Sequence, residues 1–206
     1  NKEDILNSPR RLGSTQTKLG DIGYTDVNGD GKIDGEDQVR IGKPTMPHFT
    51  YAFDFSLGYE GFTLSGLLYG TGERYMTFGN RYQSGEGKYL YYENQLNYWR
   101  PDNTGADFPR ISISSGVNGN NNKAGSTFWM RNASYLRLKD LQLSYDFKYK
   151  YLKKCDWLQT CRVNLSGSNL FTISGVSKFF DPETSSTSGD GYPVQRVYSI
   201  GVTIGF

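Results

Sequence analysis

The segment DVNGDGKIDGED, residues 26–37, is the part of the sequence whose residue types and spacing best fit metal chemistry. Carboxylate or amide oxygens recur at alternate positions and a glycine follows, which is the pattern of a twelve-residue calcium loop. Ile33, at position eight, is expected to turn inward and anchor the loop. We therefore predict a structural Ca²⁺ site, the alternative being a solvated Asn-Gly-Asp-Gly turn. The predicted ligands are Asp26, Asn28, Asp30, Lys32 through its backbone carbonyl, Asp34 and Asp37.

Residue types used in catalysis are present, but their spacing does not suggest an active site. Asp181 and Glu183 form a pair of carboxylates with no histidine or nucleophile around them. Asp181-Pro182 is also typical of the start of a turn. The only histidine, His48, lies far from the cysteines, so no zinc site is expected. We predict that the chain is not an enzyme.

The two cysteines, Cys155 and Cys161, lie close together in the segment CDWLQTC. They could be two ordinary half-buried thiols. They could also form a small disulfide across a turn, if the protein resides in an oxidising compartment. The sequence leaves both interpretations open.

Composition and charge exclude several classes of function. The chain has 206 residues and a formal net charge of only +2, with Lys and Arg scattered, so no nucleic-acid partner is expected. It contains 16 Tyr, 12 Phe and 25 Gly. No apolar run approaches the roughly 18 residues of a membrane-spanning helix. A start at Asn1 without Met or signal peptide would suit a mature secreted protein or a piece of a longer one.

Alternation of apolar and polar residues predicts five strands, at residues 49–57, 62–70, 134–147, 161–174 and 197–206. The first two flank a tight glycine-containing turn at 58–61 and form a hairpin. The apolar phase switches at Lys139–Asp140, which predicts a β-bulge that adds one residue and resets the faces. No amphipathic helix competes with these strands, so the predicted class is all-β and antiparallel.

The connections between the predicted strands alternate in length. Long segments precede residue 49 and occupy 71–132 and 175–193, whereas 58–61 and 148–160 are shorter. Such alternation is typical of a transmembrane β-barrel, with elaborate loops at one end and turns at the other. Five strands cannot close a barrel, which needs about eight. The remaining strands would then come from elsewhere, and a soluble β-sandwich is the alternative.

The longest connection contains the aromatic-rich segment YLYYENQLNYW, residues 89–99. Its rings could pack within the loop, stack on a sugar or contact a partner protein, since aromatic faces bury area at low entropic cost. The candidate contact residues are Tyr89, Tyr91, Tyr92, Tyr98 and Trp99.

Several stretches together resemble one family. They are GDIGYTDVNGDGKIDGEDQVRIGKPTMP (20–47), WMRNASYLRLKDLQLSY (129–145), VNLSGSNLFTIS (163–174), and DPE followed by GYPVQRVYSIGVTIGF (181–206). The chain resembles the C-terminal fifth of the SusC/RagA family, the TonB-dependent outer-membrane transporters of Bacteroidetes. No single motif carries this resemblance, which extends over nearly the whole chain.

The resemblance implies a 22-stranded outer-membrane barrel, of which residues 1–206 would form the last five or so strands. Residues 20–47 and 71–132 would be extracellular loops, and 194–206 the terminal strand. The implied partners are a SusD-like surface lipoprotein, the rest of the barrel and its plug, TonB through an absent N-terminal region, and outer-membrane lipid. The residues that would form a barrel-assembly signal are Tyr198, Ile200, Val202, Ile204 and Phe206.

The predicted function is therefore to form part of an importer of glycan or peptide oligomers in the bacterial outer membrane. The sequence does not separate glycan from peptide cargo. The alternative is a secreted carbohydrate-binding β-sandwich with a calcium clip and an aromatic platform.

Overall fold

The computed structural model describes residues 3, 7–13, 17–83, 92–111, 121–184, 187, 191–192 and 194–206. One helical turn, α1, spans Asn80–Gln83, and short 3₁₀ turns include Gly35–Asp37 and Phe147–Tyr149. No helix among these residues is long and apolar enough to cross a membrane. The strands are β1 (Arg10–Arg11), β2 (Lys32–Ile33), β3 (Phe49–Tyr59), β4 (Phe62–Gly72), β5 (Tyr75–Thr77), β6 (Met130–Asn132), β7 (Tyr135–Asp146), β8 (Thr160–Ser174) and β9 (Val197–Gly205).

The principal sheet has five strands in the order β3-β4-β7-β8-β9, so each long strand pairs with the next long strand along the chain. Every pair in it is antiparallel. The prediction of an all-β antiparallel fold with five long strands is thus confirmed, with boundaries shifted by one or two residues. The edges of the sheet are β3 and β9.

The bulge predicted at Lys139–Asp140 is present and affects three strands. Leu138 pairs with Leu68 and Asp140 with Leu67, so Lys139 is the extra residue of β7. On the other side, β8 accommodates the irregularity with Asn169, whose φ is +55°. Adding one residue reverses the phase of the side chains. Leucines that follow opposite phases in the sequence therefore lie on one face.

That face of the sheet is apolar from edge to edge. Phe49 lies opposite Gly72 and Tyr51 opposite Gly70, and the aromatic rings cover the glycines. A Cβ placed on Gly70 would lie 2.4 Å from the Tyr51 ring. The other large side chains of the face include Phe53, Phe55, Leu57, Tyr59, Phe62, Leu64, Leu68, Leu136, Leu138, Leu141, Leu143, Tyr145, Val163, Leu165, Phe171, Ile173, Tyr198, Ile200, Val202 and Ile204.

The opposite face of the sheet is polar, as the alternation of side chains along a strand requires. Its residues are mostly hydroxyl, amide or charged. They include Thr50, Asp54, Ser56, Thr63, Ser65, Arg137, Asp140, Gln142, Asn164, Ser166, Ser199 and Thr203.

The long connections all lie at the same end of the strands. We call the described residues of 7–48, 73–134 and 175–196 the loop layer. Glu60–Gly61 and residues 147–159 connect strands at the opposite end. The buried core lies within the loop layer rather than against the sheet, and consists of Ile22, Met76, Phe78, Tyr82, Phe108, Trp129, Ala133, Val176 and Phe180.

The segment 71–132 has more structure than the sequence indicated. β4 continues to Gly72, and β5 pairs with β6 so that Tyr75 faces Asn132 and Thr77 faces Met130. This short ladder closes the base of the long connection. Strands of three residues are too short to produce a recognisable alternation, which explains why the sequence did not indicate them.

The ring-over-glycine packing predicts the effect of Gly70→Ala. The new Cβ would lie 2.4 Å from both the Tyr51 ring and the Tyr135 carbonyl oxygen, and the backbone atom cannot rotate away. We expect a loss of about 1–3 kcal/mol in stability, typical of overpacking. The measurement is thermal unfolding of the folded full-length protein in detergent. Gly105→Ala is the matched control, since nothing lies within 4 Å of its added Cβ; equal melting temperatures would contradict the packing argument.

Candidate functional site in the loop layer

The centre of the loop layer is the ring of Phe78, which follows β5 and is 1% exposed. Its centroid lies 4.8 Å from Tyr82, 5.9 Å from Phe108 and 4.9 Å from Phe179. The Trp129 ring packs edge-on at 6.1 Å. Because these rings come from two separate connections, 73–134 and 175–196, their packing joins the loops into one unit.

A second set of contacts joins the N-terminal segment to the same unit through buried asparagines. The Ile22 amide donates to Asn122 Oδ1 at 2.8 Å, and Asn121 Nδ2 donates to the Ile22 carbonyl at 2.8 Å. Arg110 Nε donates to Asp21 Oδ1 at 2.6 Å, where the Asp21 side chain is fully buried. Burial is the main cause that raises the pKa of Tyr24, whose hydroxyl donates to the Asn121 carbonyl, to about 12.

The most buried cation among the described residues is the guanidinium of Arg137 on β7, which is 1% exposed. Its Nη1 donates to Glu183 Oε2 at 2.7 Å and its Nη2 to Asp181 Oδ2 at 2.6 Å. Its Nε donates to Thr172 Oγ1 on β8 at 2.8 Å. A buried cation is tolerated only when it is paired and hydrogen-bonded. Arg137 therefore fixes the β8–β9 connection to the polar face of the sheet.

Glu183 receives further donors in the same group. The Tyr135 hydroxyl donates to Glu183 Oε1 at 2.6 Å, and Lys139 Nζ lies 3.4 Å from the same oxygen. Burial raises the pKa of Glu183, but the Tyr135 hydrogen bond and the charges of Arg137 and Lys139 together lower it below its ordinary value. Glu183 is therefore held in its ionised form.

The two carboxylates noted in the sequence serve this ion-pair group. Asp181 also begins a turn, because its carbonyl accepts from the Thr184 amide at 3.0 Å and its Oδ1 from the Glu183 amide at 2.8 Å. The turn interpretation is confirmed. Sequence reasoning missed Arg137, although a lone arginine on the polar phase of a strand rich in leucine was the available indication.

The calcium-type loop is organised by hydrogen bonds from backbone amides to its own side chains. Asp26 accepts from the Gly29 and Gly31 amides at 2.6 and 2.8 Å, and Asn28 Oδ1 accepts from the Asp30 amide at 3.0 Å. Ile33 is buried as expected. The other predicted side-chain ligands also accept backbone amides: Asp30 from Lys32, Asp34 from Glu36, and Asp37 from Val27 and Asp34.

The carboxylates of this loop are acceptors with capacity left for further partners. The amides of Asp34 and Val27 lower the pKa of Asp37, so its carboxylate is ionised near neutral pH. Each oxygen that accepts one amide keeps a second lone pair. Among the described residues, no group of three or more His, Cys, Asp and Glu side chains is placed to hold a metal. A cation here would thus depend on amide and backbone oxygens as well as carboxylates.

The aromatic candidates have different environments. Tyr92 stacks on Tyr82 at 4.9 Å, and Tyr98 packs against the aromatic core with Arg100 over its ring at 5.3 Å. The Trp99 ring covers Gly20, where an added Cβ would lie 2.3 Å from it. Tyr89 and Tyr91 lie outside the described residues.

Trp99 also lines a cleft of about 680 Å³ between the N-terminal segment and the long connection. Polar and charged residues share the lining, including Arg11, Lys18 and Thr104. An indole beside such groups can bind a ligand that has both apolar and polar surfaces. This cleft is the candidate contact site among the described residues.

The cysteines and the terminal strand lie away from the loop layer. Cys155 and Cys161 are both free, half-buried thiols, which agrees with the first of the two interpretations of the sequence. The predicted signal residues within β9 lie on the apolar face of this edge strand, and Phe206 follows its last residue. Tyr198, Ile200, Val202, Ile204 and Phe206 are 57% to 85% exposed.

These features define a class of protein. A sheet with one apolar face, one polar face and long connections at one end of its strands has the organisation of a transmembrane β-barrel wall. Two TonB-dependent receptors of Formosa agariphila, P3 and P26, are each 27% identical to this chain, over 89% and 91% of it. No family model matches the chain.

Solved structures agree with these relatives. A chain of the RagAB peptide importer in its open-open state superposes with a TM-score of 0.64 and 27% identity over 85% of this chain. The closed-closed state gives a TM-score of 0.65 and 27% identity over 89%. The resemblance to SusC/RagA-type TonB-dependent transporters is therefore confirmed. The chain spans about a fifth of the length of these proteins: 19% and 20% of the two receptors, and 19% and 20% of the two importer chains.

The Arg137 group predicts a stability that depends on pH. A carboxyl whose folded-state pKa is lowered stabilises the fold above its unfolded pKa, and this contribution disappears as the pH falls through the folded value. For Glu183, whose ordinary value is 4.5, the loss occurs on acidification below about that pH. We expect limited proteolysis of residues 175–196 in the full-length protein to accelerate over this range, and Glu183→Gln to reduce the acid-dependent step.

Arg137→Leu supplies the second test of the same group. It leaves Asp181 without its cation and Glu183 with Lys139 alone, and breaking a buried pair costs about 3–5 kcal/mol. Cleavage in 175–196 is expected to be fast at neutral pH and slower on acidification, the reverse of the original protein. Arg100→Leu is the control, because its partner Asp102 is 76% exposed. If Arg137→Leu has no more effect than the control, the pairing is not what holds the connection.

Proposed function

We propose that this chain forms the C-terminal barrel segment of a TonB-dependent outer-membrane importer of glycan or peptide oligomers. The main support is the combination of one continuous apolar face with long connections that lie at one end of the strands and share one core. Similarity over about nine-tenths of the chain to TonB-dependent receptors and to the RagAB peptide importer supports the same conclusion. No enzymatic step is assigned to it.

The secreted β-sandwich is less well supported, because of the exposure of the apolar face. A sandwich buries the apolar face of one sheet against a second sheet. Within the described part of the chain, Leu57 and Ile200 of the apolar face are 64% and 73% exposed. An open antiparallel sheet with such a face is stable when its remaining strands complete a barrel and lipid covers the outside.

The loop layer is the part of the segment suited to partners and cargo. It would lie outside the cell, where a SusD-like lipoprotein closes over the barrel, while a plug encoded elsewhere couples to TonB. Trp99 would contact cargo or the lipoprotein through its cleft, whereas Tyr92 and Tyr98 serve the packing of the layer. β9, together with Phe206 that follows it, would present the signal for barrel assembly.

We further propose that residues 26–37 bind a structural Ca²⁺. The support is the spacing of Asp26, Asn28 and Asp30 before Gly31, and the unused acceptor capacity of the side-chain oxygens in this loop. The ion would hold the turn of an exposed loop. Extracellular calcium modules bind with dissociation constants of about 10⁻⁴–10⁻³ M.

Calcium binding is tested by titration calorimetry of the full-length protein. The original sequence is expected to bind one ion in the millimolar range or tighter, and Asp26→Asn with Asp30→Asn to weaken binding at least about tenfold, since charge count sets affinity at such sites. Asp102→Asn is the control. Binding that is equal in all variants, or absent at 10 mM calcium, about ten times the weakest expected constant, would reject the site.

The proposed function is tested with an antibody against residues 147–159, used on fractionated cells. We expect a detergent-extracted outer-membrane protein about five times the length of this chain, since the chain spans 19–20% of its relatives. A surface lipoprotein should co-purify with it, and deletion of the gene should abolish growth on one glycan or peptide source. A soluble 23.3 kDa species in the culture medium would instead support the secreted module.

A further inference from the structure

The connector between β7 and β8, residues 147–159, places exposed lysines beside aromatic rings. Lys150, Lys153 and Lys154 are all exposed, within five positions of the chain. Lys148 has a different role: its Nζ donates to the carbonyls of Cys155 at 2.8 Å and Leu158 at 2.5 Å. One lysine therefore holds the connector in shape, and three others present charge to its surroundings.

Aromatic rings form the layer next to these lysines. Tyr145 lies 4.4 Å from Phe62 and packs edge-on against Phe147 at 4.9 Å. Lys150 Nζ is 6.0 Å from the centroid of Tyr151, and Lys153 Nζ is 5.2 Å from that of Tyr149. The ammonium groups are thus held at the level of the rings, at the edge of the apolar face.

A groove of about 450 Å³ adjoins this layer on the apolar face of the sheet. Its lining is aliphatic and aromatic, and Tyr151 and Leu165 in it are 67% and 51% exposed. Lys150 and Glu60 are its charged lining residues. The other lining residues that matter here are Phe62, Leu143, Tyr145 and Val163.

We propose that this groove and the three exposed lysines bind an anionic phospholipid. An acyl chain would lie along Leu143 and Leu165, and the phosphate would lie beside Lys150 and Lys153. The inference rests on the proposed function, because it requires the apolar face to lie in a bilayer. It adds a defined lipid site to a surface that would otherwise contact lipid without selectivity.

The charges around the connector favour an anionic lipid over a zwitterionic one. Asp146 is engaged by Arg162, whose Nη2 lies 3.7 Å from its Oδ2. Glu60 and Asp156 are the acidic side chains left near three exposed lysines, so the local balance is positive. Aromatic rings occur at the headgroup level of membranes, and lysine clusters beside them attract anionic lipid.

The test is lipid retention by the full-length transporter, reconstituted in nanodiscs of phosphatidylcholine with or without phosphatidylglycerol and examined by native mass spectrometry. The variant is Lys150→Gln, Lys153→Gln and Lys154→Gln combined. We expect the original protein to retain phosphatidylglycerol selectively, and the variant to bind it roughly fivefold more weakly for each lysine removed. High salt should reduce the selectivity of the original protein.

The matched control removes three lysine charges at the opposite end of the strands, with Lys43→Gln, Lys123→Gln and Lys178→Gln in the loop layer. Selective retention by this control, together with its loss in the connector variant, supports the site. Equal retention of both lipids by the original protein, or retention that the connector variant does not change, overturns it.

The outcomes separate this inference from the function on which it rests. If the full-length protein does not fractionate with the outer membrane, the proposed function has failed. If it inserts and folds but shows no lysine-dependent lipid selectivity, only the lipid site has failed.

Discussion

A strand in a bilayer must satisfy its backbone amides and carbonyls through neighbouring strands, because hydrocarbon offers them no partner. The rest of this structure depends on that constraint. The sheet pairs β3, β4, β7, β8 and β9 in antiparallel order, and each side chain is thereby assigned to one of two faces. A single extra residue, Lys139, keeps the leucines of β7 on the apolar face despite their change of phase. Without the bulge, half of that strand would present leucine to the polar face.

The same pairing decides where a conventional core can form. The apolar face of the sheet is exposed and the opposite face is polar, so neither offers a dry interior to large aromatic side chains. The buried rings instead collect in the loop layer around Phe78, supplied by connections far apart in sequence. Buried polar groups, such as Asn121 with Ile22 and Arg110 with Asp21, fix the relative positions of these connections. Among the described residues, the long connections thus form a packed layer rather than separate loops.

Arg137 couples the loop layer to the sheet. It lies on β7, and its two carboxylate partners lie on the connection that leads to β9. A movement of the connection would leave a buried cation unpaired, at a cost of several kcal/mol. The structure thereby ties the loop layer and the sheet into one unit. At the opposite end of the strands, exposed lysines lie beside aromatic rings instead.

Much of the fold could be predicted from the sequence because alternation is a local property of a strand. The five long strands, the bulge at Lys139–Asp140, the turn at Asp181 and the burial of Ile33 all follow from neighbouring residues and are present. Much less of the candidate site could be predicted. The sequence drew attention to tyrosines in one long loop, whereas the structure shows Tyr92 and Tyr98 packed into a shared core and Trp99 beside a cleft.

The sequence by itself therefore determined the class of fold, the alternation of long and shorter connections and the resemblance to an importer family. Only the tertiary structure decided that the long connections share an aromatic core, and that Arg137 binds Asp181 and Glu183. Only the tertiary structure brought the connector's lysines to the edge of an apolar groove. The reason is physical. Strand periodicity is set by adjacent residues, whereas the Arg137 contacts join side chains more than forty residues apart, and their positions depend on the register of the whole sheet.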